Sequence, residues 1–79
     1  MRNEQVLIIR EYLGLTQEQF AELVGVSKSL ISHVEWGSRR VSENLSAKIA
    51  RKFDVKDPDF LAYQERRKWA EEYFFKSVT

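Results

Sequence analysis

The chain contains no cysteine, one proline and three glycines among its 79 residues. Without cysteine it can form neither a disulfide nor a cysteine-based zinc site, so helix packing or a partner subunit must stabilise so short a chain. Its length is that of one small domain, and we expect a single unit over residues 1–79. The proline and the glycines stand where helices are expected to begin or end, which favours an all-helical fold.

Long apolar runs are also absent. The run Val6–Ile9 has charged residues close on both sides, and no run approaches the roughly 20 residues that span a membrane. We therefore expect no membrane partner, no signal peptide and a cytoplasmic protein.

Residues for catalysis or metal binding are scarce. The chain has one histidine and shows no glycine-rich phosphate loop and no cluster of metal ligands. We expect no enzyme activity, no metal and no cofactor, and no small-molecule ligand is evident.

The net charge is only +1, but the charges are unevenly distributed. Between residues 27 and 40 a single acid stands against the bases Lys28, Arg39 and Arg40 and the titratable His33. A local positive surface on a nearly neutral chain is compatible with a nucleic-acid partner.

Apolar spacings of three and four predict five helices and no strands. We expect Asn3 to cap the first helix, which runs to about Leu13 and ends at Gly14. Its inward stripe consists of Val6, Ile9 and Leu13.

The second and third helices each have a capping residue and a terminal glycine. Thr16-Gln17-Glu18-Gln19 fits a capping box, and Gly25 ends the second helix. Ser27 caps the third helix, which runs to about Trp36 and ends at Gly37. The residues expected to face inward here, including Val26 in the turn, are Phe20, Leu23, Val24, Val26, Leu30, Ile31 and Val34.

The last two helices follow the same logic. Ser42 caps the fourth, and Asp57 with Pro58 starts the fifth, which runs to about Lys76. The inward stripe of the fourth helix is Leu45, Ile49, Ala50 and Phe53.

Only about three residues around Gly25 join the second and third helices, and so short a turn makes them cross steeply. Gly25 permits a positive φ, Ala21 is small enough for the contact, and Ile31 is placed to fill the crossing. Ala21, Gly25 and Ile31 at this spacing indicate a helix-turn-helix far more specifically than any one of them alone.

The segment LGLTQEQFAELVGVSKSLISHVEWGSRR resembles the lambda-repressor/Cro-like helix-turn-helix domain, also called the XRE family. The likeness extends from about Val6 to Leu61 and includes SENLSAKIARKFDV and DPDFL. Its matching pieces are Leu15-Thr16-Gln17, Ala21, Gly25-Val26-Ser27, Ile31, Glu35 and Gly37. The resemblance implies a compact five-helix fold with a core at 3–61 and a helix-turn-helix at 16–36. The last helix, expected at 58–76 from its start signal, is long and aromatic-rich. The resemblance also implies a bacterial or phage origin.

The resemblance implies that the third helix enters the major groove of DNA. The residues expected to read bases are Lys28, Ser29, Ser32 and His33. The residues expected at phosphates are Gln17, Ser27, Trp36, Arg39 and Arg40. The residues expected to build the scaffold are Arg10, Thr16, Ala21, Gly25, Ile31, Glu35 and Gly37. Among these, Arg10 and Glu35 are expected to form an ion pair between the first and third helices.

Each contact residue has a plainer interpretation. Ser27 is foremost a helix cap, while Gln17, His33 and the arginines could be ordinary exposed residues. Trp36 departs from the family, which usually has a small or polar residue there. Its indole could pack on the fourth helix or lie along the DNA backbone, and we favour the second.

Six of the ten aromatic residues fall between residues 60 and 75. Phe60 and Leu61 are expected to dock on the core. The remaining rings either fold back on the first helix or form a dimer contact, and we favour the dimer because large exposed apolar patches usually mark interfaces. The residues expected at that interface are Tyr63, Trp69, Tyr73 and Phe74. Arg66-Arg67-Lys68 is expected to be a solvated face rather than a second DNA contact.

These expectations combine into a sequence-specific regulator, a repressor that binds a palindromic operator as a homodimer. The alternative is a protein-interaction module, antitoxin-like or an adaptor, that has kept the fold and binds little DNA. The near-neutral charge and the short side chains of the third helix keep that alternative open.

Overall fold

The computed structural model describes the backbone of residues 1–78 and the side chains of residues 1–70. The described backbone contains helices and no strand, which confirms the all-α prediction. The five helices are α1 (Asn3–Tyr12), α2 (Gln17–Val24), α3 (Lys28–Trp36), α4 (Glu43–Lys52) and α5 (Pro58–Val78). None of them, over the described residues, is long and apolar enough to cross a membrane.

Polar side chains begin four of the helices, as their sequence predicts. The Thr16 hydroxyl accepts a hydrogen bond from the Gln19 amide, and the Gln19 side chain accepts one from the Thr16 amide at 2.9 Å. The N-caps Ser27, Ser42 and Asp57 each accept a bond from the amide three residues on. These bonds satisfy amides that no helical carbonyl can reach.

The prediction for the start of α1 is wrong. Arg2 is the N-cap and makes no side-chain capping bond, while Asn3 is the first helical residue. Its Nδ2 donates to the carbonyls of Val34 at 2.7 Å and Arg39 at 2.6 Å. The end of α3 lies beside the start of α1, so the Asn3 side chain reaches one carbonyl in the last turn of α3 and one in the loop after it. It thereby ties α1 to the end of α3 and to the loop that follows.

The core lies between the five helices. Its buried apolar residues are Val6, Ile9, Phe20, Ala21, Val24, Ile31, Val34, Leu45, Ile49 and Phe60. Three residues predicted to face inward do not: Leu23 is 40% exposed, Leu61 is 47% exposed, and Ala50 is also exposed. Adjacent positions on a helix point about 100° apart, so each lies on the flank of a face that its neighbour fills.

An aromatic cluster joins α1, the end of α4 and α5. The rings of Tyr12, Phe53, Phe60 and Tyr63 pack with centroids between 4.9 and 5.9 Å apart. Three of the four contacts are edge-to-face, the arrangement that the ring quadrupoles favour. Tyr63, predicted at a dimer interface, therefore packs within the chain against α1.

The same folding back continues one turn further along α5. Arg67 Nη1 donates to Glu11 Oε2 at 2.6 Å, and this hydrogen bond raises the pKa of Arg67 above its ordinary value. The expectation of a solvated basic face is wrong for Arg67, whereas Arg66 and Lys68 are exposed. Trp69 is 66% exposed. The predictions for Tyr73 and Phe74 lie outside the described side chains.

One ion pair connects α1 to α3. Arg10 Nε donates to Glu35 Oε2 at 2.7 Å, and Arg10 Nη2 donates to Glu35 Oε1 at 3.0 Å. The side chains are only 17% and 6% exposed, and Arg10 Nη1 also donates to the Leu15 carbonyl at 2.9 Å. The hydrogen bond to Glu35 raises the pKa of Arg10, outweighing the opposite effect of burial. The pair expected from the sequence is present, and it also anchors the segment before α2.

Replacing Phe60 with alanine is expected to lower the free energy of unfolding by about 3–5 kcal/mol, since a buried aromatic is lost and a cavity remains. Leu61→Ala is the matched control. The Leu61 side chain is about half exposed, so we expect its loss to lower the free energy of unfolding by less than about 1.5 kcal/mol. Urea denaturation measures both. Equal losses for the two variants would contradict the orientation of α5.

Replacing Arg10 with methionine is expected to lower the free energy of unfolding by up to about 3 kcal/mol, because a nearly buried carboxylate loses its cation. Arg10→Met combined with Glu35→Leu should lose less than the sum of the single changes. Arg2→Met, which removes an exposed contact with Glu4 at 3.9 Å, should change little. Additive losses in denaturation curves would show that Arg10 and Glu35 act independently.

Candidate nucleic-acid interface

The turn between α2 and α3 is closed by backbone hydrogen bonds. Gly25 has a φ of 80°, and the amides of Gly25 and Val26 both donate to the Ala21 carbonyl, at 2.9 and 3.0 Å. A Cβ at Gly25 would meet nothing within 4 Å, so the left-handed φ, rather than lack of space, favours glycine there. Ala21 and Ile31 are both buried at the contact between the two helices. The side of α3 that faces away from this contact is therefore exposed to solvent.

The exposed side of α3 brings the four predicted base-reading residues together. The helical repeat places residues 29, 32, 33 and 36 away from Ile31 and Val34, which are buried. Lys28 is the first residue of α3 and lies at the edge of this side. Ser32 is half-buried, and the others are exposed. We refer to Lys28, Ser29, Ser32, His33 and Trp36 as the reading face.

Trp36 lies at the end of the reading face and is 87% exposed. An indole packed on α4 could not be so accessible, which excludes that position, and the position of Trp36 along the DNA backbone stays a prediction. A shallow groove beside it is lined by Leu7, Gln17, Ser32, Glu35 and Trp36.

Gln17 reaches into that groove rather than outward. Its Nε2 donates to Glu35 Oε1 at 3.0 Å, and the residue is half-buried. Glu35 thus joins α1 through Arg10, α2 through Gln17, and its own helix α3. The start of α2 is thereby held in a fixed position beside the reading face.

The segment 27–40 at this surface carries a positive charge because its one acid is neutralised. Glu35 is paired with Arg10, while Lys28, Arg39 and Arg40 are exposed. The backbone carbonyl of Arg39 accepts a hydrogen bond from the side-chain amide of Asn3, which holds Arg39 in place. Ser27, predicted at a phosphate, is exposed, and its hydroxyl accepts the Leu30 amide at 3.1 Å.

Two polar residues at this surface were missed by the sequence reasoning. Ser38 Oγ lies 3.1 Å from His33 Nδ1 and donates to the His33 carbonyl at 3.2 Å. Asn3 bridges α1 to the end of α3. A serine after a helix-terminal glycine and an asparagine near a helix start are both common, so neither pattern indicated these contacts. No group of residues that could hold a metal ion occurs within the described part of the chain.

Comparisons with known proteins agree with this geometry. The sequence profile of a family described as helix-turn-helix matches residues 7–61. An uncharacterized HTH-type transcriptional regulator of Archaeoglobus fulgidus is 36% identical over 64 residues, covering 77% of this chain and 91% of the relative. A second protein so named, from the same organism, is 37% identical over 60 residues, covering 76% of this chain and 84% of the relative. No solved structure matches.

The profile covers well over half of the chain, and it spans both helices of the helix-turn-helix and the turn at Gly25. Both relatives are archaeal, so the bacterial or phage origin stays a prediction. Taken with the crossing of α2 and α3 and the exposed reading face, these similarities show that the chain belongs to the lambda-repressor/Cro-like (XRE) family of helix-turn-helix DNA-binding proteins, which are not enzymes.

Proposed function

We propose that this chain is a transcriptional repressor that binds a palindromic operator in double-stranded DNA as a homodimer. Family membership supports DNA binding and regulation of transcription. The observation that carries the proposal is the reading face of α3, where a lysine, two serines and a histidine are accessible while the nearest acid is paired with Arg10.

In the proposed complex, α3 lies in the major groove with its N-terminal residues toward the base edges. Lys28 suits the O6 and N7 acceptors of guanine, and Ser29 and Ser32 can donate to or accept from several bases. His33 lies one turn further along and extends the contact.

The phosphates are contacted on both sides of the reading face. Arg39 and Arg40 follow α3 and would bind phosphates without regard to sequence. The N-terminus of α2, where Gln17 is held by Glu35, offers backbone amides to a second phosphate. Ser27 and the indole N–H of Trp36 complete the proposed set.

The homodimer follows from the size of the reader. A nine-residue helix contacts only a few base pairs, whereas two copies on a twofold axis read half-sites about one helical turn apart. The proposed interface is the part of α5 beyond Arg67, where Trp69 is exposed. Tyr63, which also packs on Tyr12, Tyr73 and Phe74 stay predictions.

The proposal is tested by selecting bound duplexes from a random pool and measuring affinity against salt. A repressor of this kind should enrich a palindrome, and log affinity should fall linearly with log salt, with a slope of about −0.9 per phosphate neutralised. Absence of binding to any duplex at low salt would overturn the proposal. That result would favour the protein-interaction module, which the net charge of +1 supports.

Replacing Lys28 with alanine is expected to relax base preference at one position of each half-site, costing about 1–3 kcal/mol there if the contact is bidentate. Lys56→Ala is the matched control, since Lys56 is exposed in the segment between α4 and α5. It should leave base preference unchanged. If Lys28→Ala weakens binding to specific and random duplexes equally, Lys28 contacts a phosphate instead.

Truncation after Lys68 is expected to give a folded monomer with weaker operator binding. The shortened chain keeps the aromatic cluster and the Arg67–Glu11 pair, so α5 retains its packing on α1. Light scattering measures the mass, and circular dichroism checks that the fold persists. A truncated chain that is still dimeric would exclude the end of α5 as the interface.

A further inference from the structure

We infer that Ser38 is a positioning residue that sets the tautomer of His33, so that His33 Nε2 accepts a hydrogen bond from the exocyclic amino group of adenine or cytosine. This inference rests on the proposed function, because it requires α3 to lie in the major groove. Beyond the proposed function, it identifies the His33 atom that contacts the base and the base edge that this atom contacts.

The position of Ser38 is determined by the end of α3. Gly37 has a φ of 88°, which turns the chain back over the last turn of the helix. The Gly37 amide donates to the Val34 carbonyl at 3.1 Å, and the Ser38 amide donates to the His33 carbonyl at 3.0 Å. The hydroxyl of Ser38 is therefore delivered to His33 by backbone bonds rather than by a freely rotating segment.

Two contacts of this hydroxyl determine where the imidazole proton lies. Ser38 Oγ is 3.2 Å from the His33 carbonyl, which can only accept, so Ser38 donates its single proton there. The same oxygen is 3.1 Å from His33 Nδ1 and has only lone pairs left for it. Both contacts are satisfied together only when Nδ1 carries the proton and donates to Ser38. In the neutral ring, Nε2 is then an acceptor.

An acceptor at this place on the reading face discriminates between bases. In the major groove, adenine presents the N6 amino donor and cytosine the N4 amino donor. Guanine presents the acceptors O6 and N7, and thymine presents O4 and a methyl group. The lone pair of Nε2 attracts the first two edges and repels the oxygens of the others. His33 therefore selects adenine or cytosine, whereas Lys28 suits guanine.

The tautomer is measured on the free protein, without DNA. Long-range ¹H–¹⁵N spectra of uniformly labelled protein, recorded where the spectra themselves show a neutral ring, distinguish the protonated ring nitrogen from the bare one. We expect Nε2 to be bare in the wild type, Ser38→Ala to shift the population toward protonated Nε2, and Ser38→Thr to restore the wild-type spectrum. Ser46→Ala on α4, whose hydroxyl makes no bond to His33 in the described structure, is the matched control. A protonated Nε2 in the wild type overturns the inference.

The base edge is measured by the same selection applied to His33→Ala and Ser38→Ala. The wild type should prefer adenine or cytosine at one position of each half-site, and His33→Ala should lose about 2- to 12-fold of that preference, the value of one hydrogen bond. Replacing a selected adenine with 2-aminopurine removes the major-groove amino group. A selected cytosine is replaced with a 2-pyrimidinone nucleotide for the same purpose. Either base change should weaken wild-type binding by that factor and leave His33→Ala unaffected.

The outcomes separate this inference from the proposed function. Specific binding with an unchanged base preference in His33→Ala overturns the role of His33 and leaves the repressor proposal standing. A wild-type preference for guanine or thymine at the position that depends on His33 overturns the acceptor assignment. Absence of binding to any duplex overturns both proposals.

Discussion

The arrangement of the first three helices depends on the hydrogen bonds that the Glu35 carboxylate accepts. Glu35 accepts two bonds from Arg10 on α1 and one from Gln17 on α2, while its own backbone belongs to α3. A carboxylate that is only 6% exposed requires such partners, since burial without them is strongly unfavourable. The same pairing removes a negative charge from the surface that faces DNA in the proposed complex. Glu35 thus stabilises the packing of the three helices and, through its pairing, also affects the charge of the surface proposed to face DNA.

The helix α3 divides its residues between two tasks by the helical repeat. Ile31 and Val34 fill the core, and residues of the reading face point the other way. Substitutions on the reading face leave the core packing undisturbed, because exposed positions carry little packing energy. Gly37 and Ser38 extend this division past the helix end, since the turn that stops α3 also brings a hydroxyl to His33. The termination of a helix and the chemistry of its reading face are therefore linked.

Much of the fold was predictable because its determinants are local. The caps Thr16, Ser27 and Ser42 act on amides three residues away, and the terminal glycines act on their own φ. The errors share a different origin. Leu61 was expected to dock on the core beside Phe60, but only Phe60 is buried there. For Tyr63 the sequence favoured a dimer contact, and its packing on Tyr12 of α1 was the less favoured alternative. Those outcomes depend on helices distant in the chain.

The sequence by itself determined the helices apart from the start of α1, the turn at Gly25 and the residues of the reading face, whereas the ion pair of Arg10 with Glu35 was expected from the resemblance to the family. Spacing along one helix is enough to place side chains on a common side. Only the tertiary structure decided that Asn3 bonds the end of α3, that Arg67 on α5 pairs with Glu11 on α1, and that Ser38 contacts His33. These contacts depend on the meeting of helix ends and loops, whose positions follow from the packing of the whole core rather than from any local pattern.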